Sequence, residues 1–218
     1  MRTARRVALI GSGPSSSVTW PQAADQYDEI VCINSGACFP EAPEPFDYWV
    51  GVDTPFFRLH QVPFPPKAIV TWRSSFVSLS RMEQFAHWFP SGWQGPDRLT
   101  DLVDAKGMET YKPKWPDKVF RCSMEIAIAF ICGQLANPEG CLVDCFGLDW
   151  GGNTNILGVV HDNHTTNFFR EQERRGTRHR LYWVGKGVDV RFERVLPTGR
   201  VPAFEAPKPV GRYGLFRS

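Results

Sequence analysis

A single Rossmann-like α/β domain, with a mostly parallel sheet and helices on both faces, is the fold class that three features of this chain predict. Val7 to Ile10 and Ile30 to Ile33 are short apolar runs rich in β-branched residues, the pattern of strands covered on both faces, and Phe46 to Val52, Ala68 to Trp72, Cys141 to Phe146 and Val188 to Val195 read as further strands. Helix-compatible segments separate several of them, which gives the βα rhythm of a parallel sheet. The first run passes straight into the turn Gly11-Ser-Gly-Pro-Ser15, as a phosphate-binding strand, loop and helix begin.

The chain has 218 residues, 42% of them hydrophobic, enough for one sizeable core and short for two. The expected domain covers 1–195, interrupted by an irregular insertion at about 73–118 and followed by an irregular Pro/Gly-rich tail at 196–218.

Each element has its own reason. Gly11 and Gly13 allow close backbone approach, Pro14 stiffens the exit, and the hydroxyls of Ser15 to Ser17 are suited to capping a helix start. A crossover helix is expected over Ser15 to Gln26, with Pro21 near its first turn. In the insertion, Leu79 to Phe89 reads as an amphipathic helix with Met82, Phe85, Ala86 and Phe89 inward. Cys122 to Leu135 is apolar on all sides from Ile126 to Cys132 and reads as a central buried helix, with Ser123 as its cap. A further helix is expected from about His164 to Arg175, ahead of the last strand.

Composition excludes several classes. The formal net charge of +2 is too small to demand a nucleic-acid partner on its own. The six cysteines, at 32, 38, 122, 132, 141 and 145, lack paired Cys-x-x-Cys spacing and sit mostly in apolar runs, which suits buried thiols in a reducing compartment. No signal-peptide pattern or membrane-length apolar run is present in this sequence, so a cytoplasmic location, cellular or viral, is the expectation. An ordinary NAD site is disfavoured, because Ser16 stands at the third glycine position and the second strand ends in Asn34 instead of an acid.

Four loop tips follow four of the expected strands: Gly11-Ser-Gly-Pro-Ser15, Asn34-Ser-Gly36, Asp53-Thr-Pro55 and Asp149-Trp-Gly-Gly152. In a parallel sheet all four converge on the carboxyl edge, where open α/β sheets place their ligands. They offer amides, hydroxyls, an amide side chain and two carboxylates, a set suited to a nucleotide.

The order Gly-x-Gly-Pro-Ser, a strand ending Cys-x-Asn, a strand ending Asp-x-Pro, and a buried helix before a strand ending Gly-x-Asp-aromatic resembles the small bacterial sialyltransferases that use a cytidine-monophosphate sugar. It is similar also to the 6-hydroxymethylpterin pyrophosphokinase-like domain of archaea. The resemblance covers roughly residues 6–55 and 120–165. It implies phosphate held by Gly11, Ser12, Gly13 and Ser15, a ribose or phosphate edge held by Asn34 and Asp53, and a sugar beside Asp149 and Trp150. Ser12 and Asp53 stand where the sialyltransferases have asparagines. A carboxylate at Asp53 suits a ribose or a metal better than a phosphate.

The resemblance further implies a histidine general base that takes the acceptor's proton. His161 and His164 are the candidates beside Asp149, and His179 stays open as a third. His161-x-x-His164 with Asp149 or Asp162 is an alternative divalent-metal set. A serine-hydrolase reading is disfavoured because no Gly-x-Ser-x-Gly elbow exists.

The basic run Arg170, Arg174, Arg175, Arg178, His179 and Arg180 is either a solvated face or a contact for an anion, the donor's phosphates or a nucleic-acid acceptor. Arg121 or Arg170 would neutralise the departing nucleotide.

The expected activity is metal-independent, inverting transfer from a nucleotide-sugar donor to an acceptor hydroxyl, with no obligatory cofactor and with a nucleic acid or nucleotide among the acceptors considered. The alternatives are Mg²⁺-dependent diphosphate transfer from ATP to a small alcohol, and a non-catalytic nucleotide-binding protein. No membrane partner is expected.

Overall fold

The computed structural model describes residues 4–20, 24–37, 42, 45–51, 66, 68–71, 99–101, 123–149 and 166–204. They form an α/β fold on one eight-stranded sheet. The strands are β1 (Arg5–Ile10), β2 (Glu29–Ile33), β3 (Tyr48–Val50), β4 (Ala68–Thr71), β5 (Leu99–Asp101), β6 (Cys141–Phe146), β7 (Val190–Leu196) and β8 (Gly199–Pro202). Their order is β5-β4-β3-β2-β1-β6-β7-β8, parallel throughout except for the antiparallel β7–β8 pair. From β1 the chain winds outward to β5, then returns to place β6 on the other side of β1. The strand order therefore reverses between β1 and β6, a topological switch point.

Parallel register assigns the faces. Val7 pairs with Val143 and Leu9 with Cys145. Both pairs join Val31, Ile33, Val190 and Phe192 in the main core, beneath α2 (Ser123–Phe130), the π turn Ile131–Leu135 that continues it, and α3 (Thr166–Val184). Every residue of α2 is buried, as its all-round apolar sequence predicts. On the opposite face Ile10 pairs with Phe146, and Trp20 meets the Phe146 ring edge-on at 5.1 Å with Tyr27 stacked beside Trp20.

That second face also buries a charge. Asp144 is 1% exposed and accepts hydrogen bonds from Tyr27 Oη (3.1 Å) and from Arg200 Nε and Nη2 (3.1 and 3.2 Å), with Arg6 at 3.4 Å. Paired and hydrogen-bonded on several sides, the carboxylate meets the condition for a buried ion. Burial, then the Asp144 charge, pushes the Tyr27 phenol well above its ordinary range.

Several elements differ from expectation. The crossover helix shrinks to α1 (Ser16–Thr19), because Trp20 is extended at ψ 118° ahead of Pro21, the conformation a following proline favours. A 3-10 turn, Ala24–Gln26, follows. Helix α3 does not stop near Arg175 but runs on through Gly176 to Val184. There a Cβ on Gly176 would lie 2.5 Å from the Phe204 ring, so the glycine makes room for a core side chain instead of ending the helix. Within the expected insertion, β5 pairs with β4 and extends the sheet. Within the expected tail, β8 folds back on β7 and Ala203 N–H bonds to Phe192 O at 2.9 Å. The amphipathic segment Leu79 to Phe89 lies outside the described residues.

Cys32, Cys132, Cys141 and Cys145 are buried free thiols. Burial pushes the Cys141 thiol up to about 12. Cys38 and Cys122 lie outside the described residues. Among the described residues no helix is long and apolar enough to cross a membrane.

Candidate site at the switch point

The carboxyl ends of β2, β1 and β6 pack against one another through glycine backbone. A Cβ on Gly36 would collide with Ile10 O, and one on Gly11 would lie 2.7 Å from Gly147 O. Gly147 itself takes φ +63°, the left-handed region that a side chain disfavours. Gly11 N–H donates to Phe146 O (2.7 Å) and Gly13 N–H to Gly147 O (2.9 Å). The glycine turn is thus laced to the end of β6, directly at the switch point.

Asp149 completes that lacing. Its Oδ2 accepts the Ser15 N–H at 2.8 Å, and its Oδ1 accepts the Ser15 hydroxyl. The Ser16 and Ser17 hydroxyls donate backward to Gly13 O (2.8 Å) and Pro14 O (2.9 Å). Ser15 stands at the N-cap position of α1, but none of the three serine hydroxyls makes the expected capping bond. Instead the half-buried Asp149 carboxylate is the anion beside this turn. Each carboxylate oxygen keeps further acceptor capacity, suited to a ligand hydroxyl and repulsive toward a ligand phosphate.

Asn34 borders the same edge one strand over. It is the one described non-glycine residue with positive φ, at 51°, a conformation asparagine tolerates. Its backbone oxygen accepts the Trp49 indole N–H (2.8 Å), and its side-chain Oδ1 accepts the Ser123 hydroxyl (2.9 Å). Ser123, expected as a helix cap, therefore fastens the start of α2 to the end of β2. The neighbouring Ser35 is fully buried, and its hydroxyl has no partner among the described residues.

From α2 the connection passes to α3. Glu125, fully buried, accepts from Arg175 Nε and lies 3.2 Å from His179 Nε2. His179 is 1% exposed and lies between α2 and α3 against Glu125. Sequence reading did not single out Glu125. Its signal was available, as the one carboxylate at the head of an otherwise apolar helix.

The structure thus brings together Gly11, Ser12, Gly13, Ser15, Asn34 and Asp149. Ser12 is half-buried at the turn's tip. Arg170 lies on the first half of α3, where the backbone alone is described. Asp53, Trp150, His161 and His164 lie outside the described residues, as do Arg121 and Asp162. Among the described residues no three His, Cys, Asp or Glu side chains gather as a metal site would need. A scan of protein-family models and searches of curated proteins and of solved structures returned no match to this chain.

Proposed function

We propose that the protein is a Rossmann-like transferase that holds a nucleotide-activated sugar at the β1/β6 switch point and passes the glycosyl group to an acceptor hydroxyl. The observation that carries this reading is the close packing of the Gly11–Ser15 turn, Asn34 and Asp149 at the carboxyl ends of β1, β2 and β6, where doubly wound sheets bind nucleotides.

The geometry favours one orientation of the donor. Asp149 already supplies negative charge next to the glycine turn, so the donor's ribose or sugar hydroxyls face Asp149. Its phosphates face away, toward the basic α3. A neutral imidazole, His161 or His164, takes the proton from the acceptor oxygen as that oxygen bonds to the anomeric carbon. The bond from that carbon to the leaving phosphate breaks, and the nucleotide departs with the electron pair, neutralised by arginine.

The test is a thermal-shift panel of CMP, UDP, GDP, ADP and ATP, each with Mg²⁺ and with EDTA, since a ligand that binds the folded state raises Tm. Stabilisation by one nucleotide in EDTA supports the reading and names the donor class. Stabilisation by ATP with Mg²⁺ alone replaces it with diphosphate transfer. A panel with no shift removes the nucleotide site. Loss of turnover with retained nucleotide stabilisation in His161→Ala/His164→Ala would assign the base, and unchanged turnover would reject both histidines.

A further inference from the structure

Two buried polar groups near the switch point have no hydrogen-bond partner among the described residues: the Nε of Arg194, in the carboxyl half of β7, and the hydroxyl of Ser35, just beyond the end of β2. Buried polar groups are as a rule satisfied, so each exception needs a cause. These two stand on opposite sides of the β1–β6 pair, with the Asp149 carboxylate following β6 between them.

Arg194 is the more telling of the two, because it carries a charge. Its register partner on β6 is Cys145, four residues before Asp149, and its charge acts on that fully buried thiol. Cys145 and Phe192 both belong to the core beneath α2 and α3, so the alternation of strand side chains puts Arg194 on the same face. Asp144 and Glu193, one position back on each strand, belong to the opposite face, where Asp144 is taken by Tyr27, Arg200 and Arg6. Glu125 on α2 is taken by Arg175 and His179. Arg194 therefore stands half-buried beside an apolar core, with no ion pair among the described residues. The Arg180 Nε is also buried without a partner, but its charge acts on Cys132, in the turn that leads to the amino end of β6 and away from the glycine turn.

We propose that Arg194 is a phosphate-binding residue of the switch-point site, gripping the phosphoryl group of the nucleotide donor through Nε and one Nη. A guanidinium fork matches two phosphate oxygens, and shielding from water strengthens the contact. The assignment deepens the transferase reading and rests on it. Asp149 takes the hydroxyl-bearing part of the donor beside the glycine turn, and Arg194, one strand beyond β6, takes its negative charge.

The experiment is isothermal titration calorimetry of the full chain with cytidine, uridine, guanosine and adenosine, with their mono- and diphosphates, and with inorganic pyrophosphate. Arg194→Met keeps the aliphatic stem beside Cys145 and removes the charged head. A hydrogen bond to a charged group contributes about 10- to 150-fold in affinity. Arg194→Met is expected to lose that factor for the nucleotide that binds wild type and to leave the parent nucleoside unchanged. Arg194→Lys, which keeps the charge without the fork, is expected to fall between. Arg191→Gln, exposed on the other face of β7, is expected to change neither. Melting curves check each variant without ligand, and Arg194→Met should melt no lower than wild type, since it removes a donor that has no partner.

A wild-type ratio of nucleotide to nucleoside affinity in Arg194→Met overturns the assignment and leaves the transferase reading standing, as does an equal loss in Arg191→Gln. A lowered ligand-free Tm with nucleoside and nucleotide weakened alike overturns it too, and makes Arg194 a residue of the fold. Where no nucleoside or nucleotide binds wild type, the transferase reading falls. Pyrophosphate that then binds wild type but not Arg194→Met retains the anion site, and pyrophosphate that binds both or neither removes it.

Discussion

Replacing Glu125 with glutamine removes a buried charge that ties α2 to α3 through Arg175 and His179. The wild-type carboxylate is fully buried and faces Arg175, whose side chain is 12% exposed, and the buried His179. Breaking a buried ion pair from one side costs about 3–5 kcal/mol, because the remaining charge stays desolvated. Arg175 has a narrow outlet to solvent and glutamine still accepts a hydrogen bond, so the lower figure applies, about 3 kcal/mol. For a domain of this size that corresponds to a fall in Tm of about 6–12 °C.

Differential scanning calorimetry of wild type and Glu125→Gln at pH 7 measures it. A companion variant sharpens the reasoning: Glu125→Leu/Arg175→Met/His179→Leu removes all three polar partners at similar volume. It is expected within about 1 kcal/mol of wild type, since apolar replacement of a whole buried ion cluster is often neutral or stabilising. A shift below about 2 °C in Glu125→Gln, or a triple variant less stable than the single one, would refute this account of the α2–α3 contact.

Three further outcomes are expected. Gly176→Ala gains about 1 kcal/mol of helix propensity but places a methyl 2.5 Å from the Phe204 ring. Overpacking of about 1–3 kcal/mol outweighs the gain, so urea titration shows a lower midpoint that Phe204→Leu partly restores, and a raised midpoint would deny the contact. Gly13→Ala drives a Cβ to 2.5 Å from both Gly147 O and Asp149 Oδ2, so it should separate the β1 and β6 loops and abolish nucleotide-induced stabilisation in the thermal-shift panel. Cys141, with its thiol held up to about 12, is protonated in the fold at pH values where the unfolded thiol, near 8.5, ionises. Its contribution is whole below about pH 8.5 and is lost as pH rises toward 12. Tm should therefore decline more shallowly between pH 9 and 11 in Cys141→Ala than in wild type.

The sheet's centre was readable because β1, β2 and β6 are continuous apolar runs that need cover on both faces. The same logic located Gly11, Gly13, Asn34 and Asp149 at one edge. It did not reach β5, whose three residues Leu-Thr-Asp carry no strand period, or β8, whose Gly-Arg-Val-Pro reads as a turn. Gly176 resembles a helix stop until Phe204 is seen against it. The bond between Ser15 and Asp149 spans 134 positions, and no local pattern announces it. That unseen bond sets a carboxylate beside the glycine turn. Propensity is local, whereas the site's electrostatics were decided by chain returns.

The place of β1 has a consequence for synthesis. Val7, Ala8, Leu9 and Ile10 are fully enclosed in the finished fold, yet β1 pairs on one side with β6, where Arg5 meets Cys141. At translation rates of 5–20 residues per second, the ribosome takes roughly 7–27 s to deliver the second partner after the first strand emerges. Throughout that interval an aliphatic edge without its neighbour is open to solvent or to another nascent chain. Yield on expression should therefore depend on slowing collisions during that wait, by lower temperature or an added holdase, more than on the stability of the completed sheet.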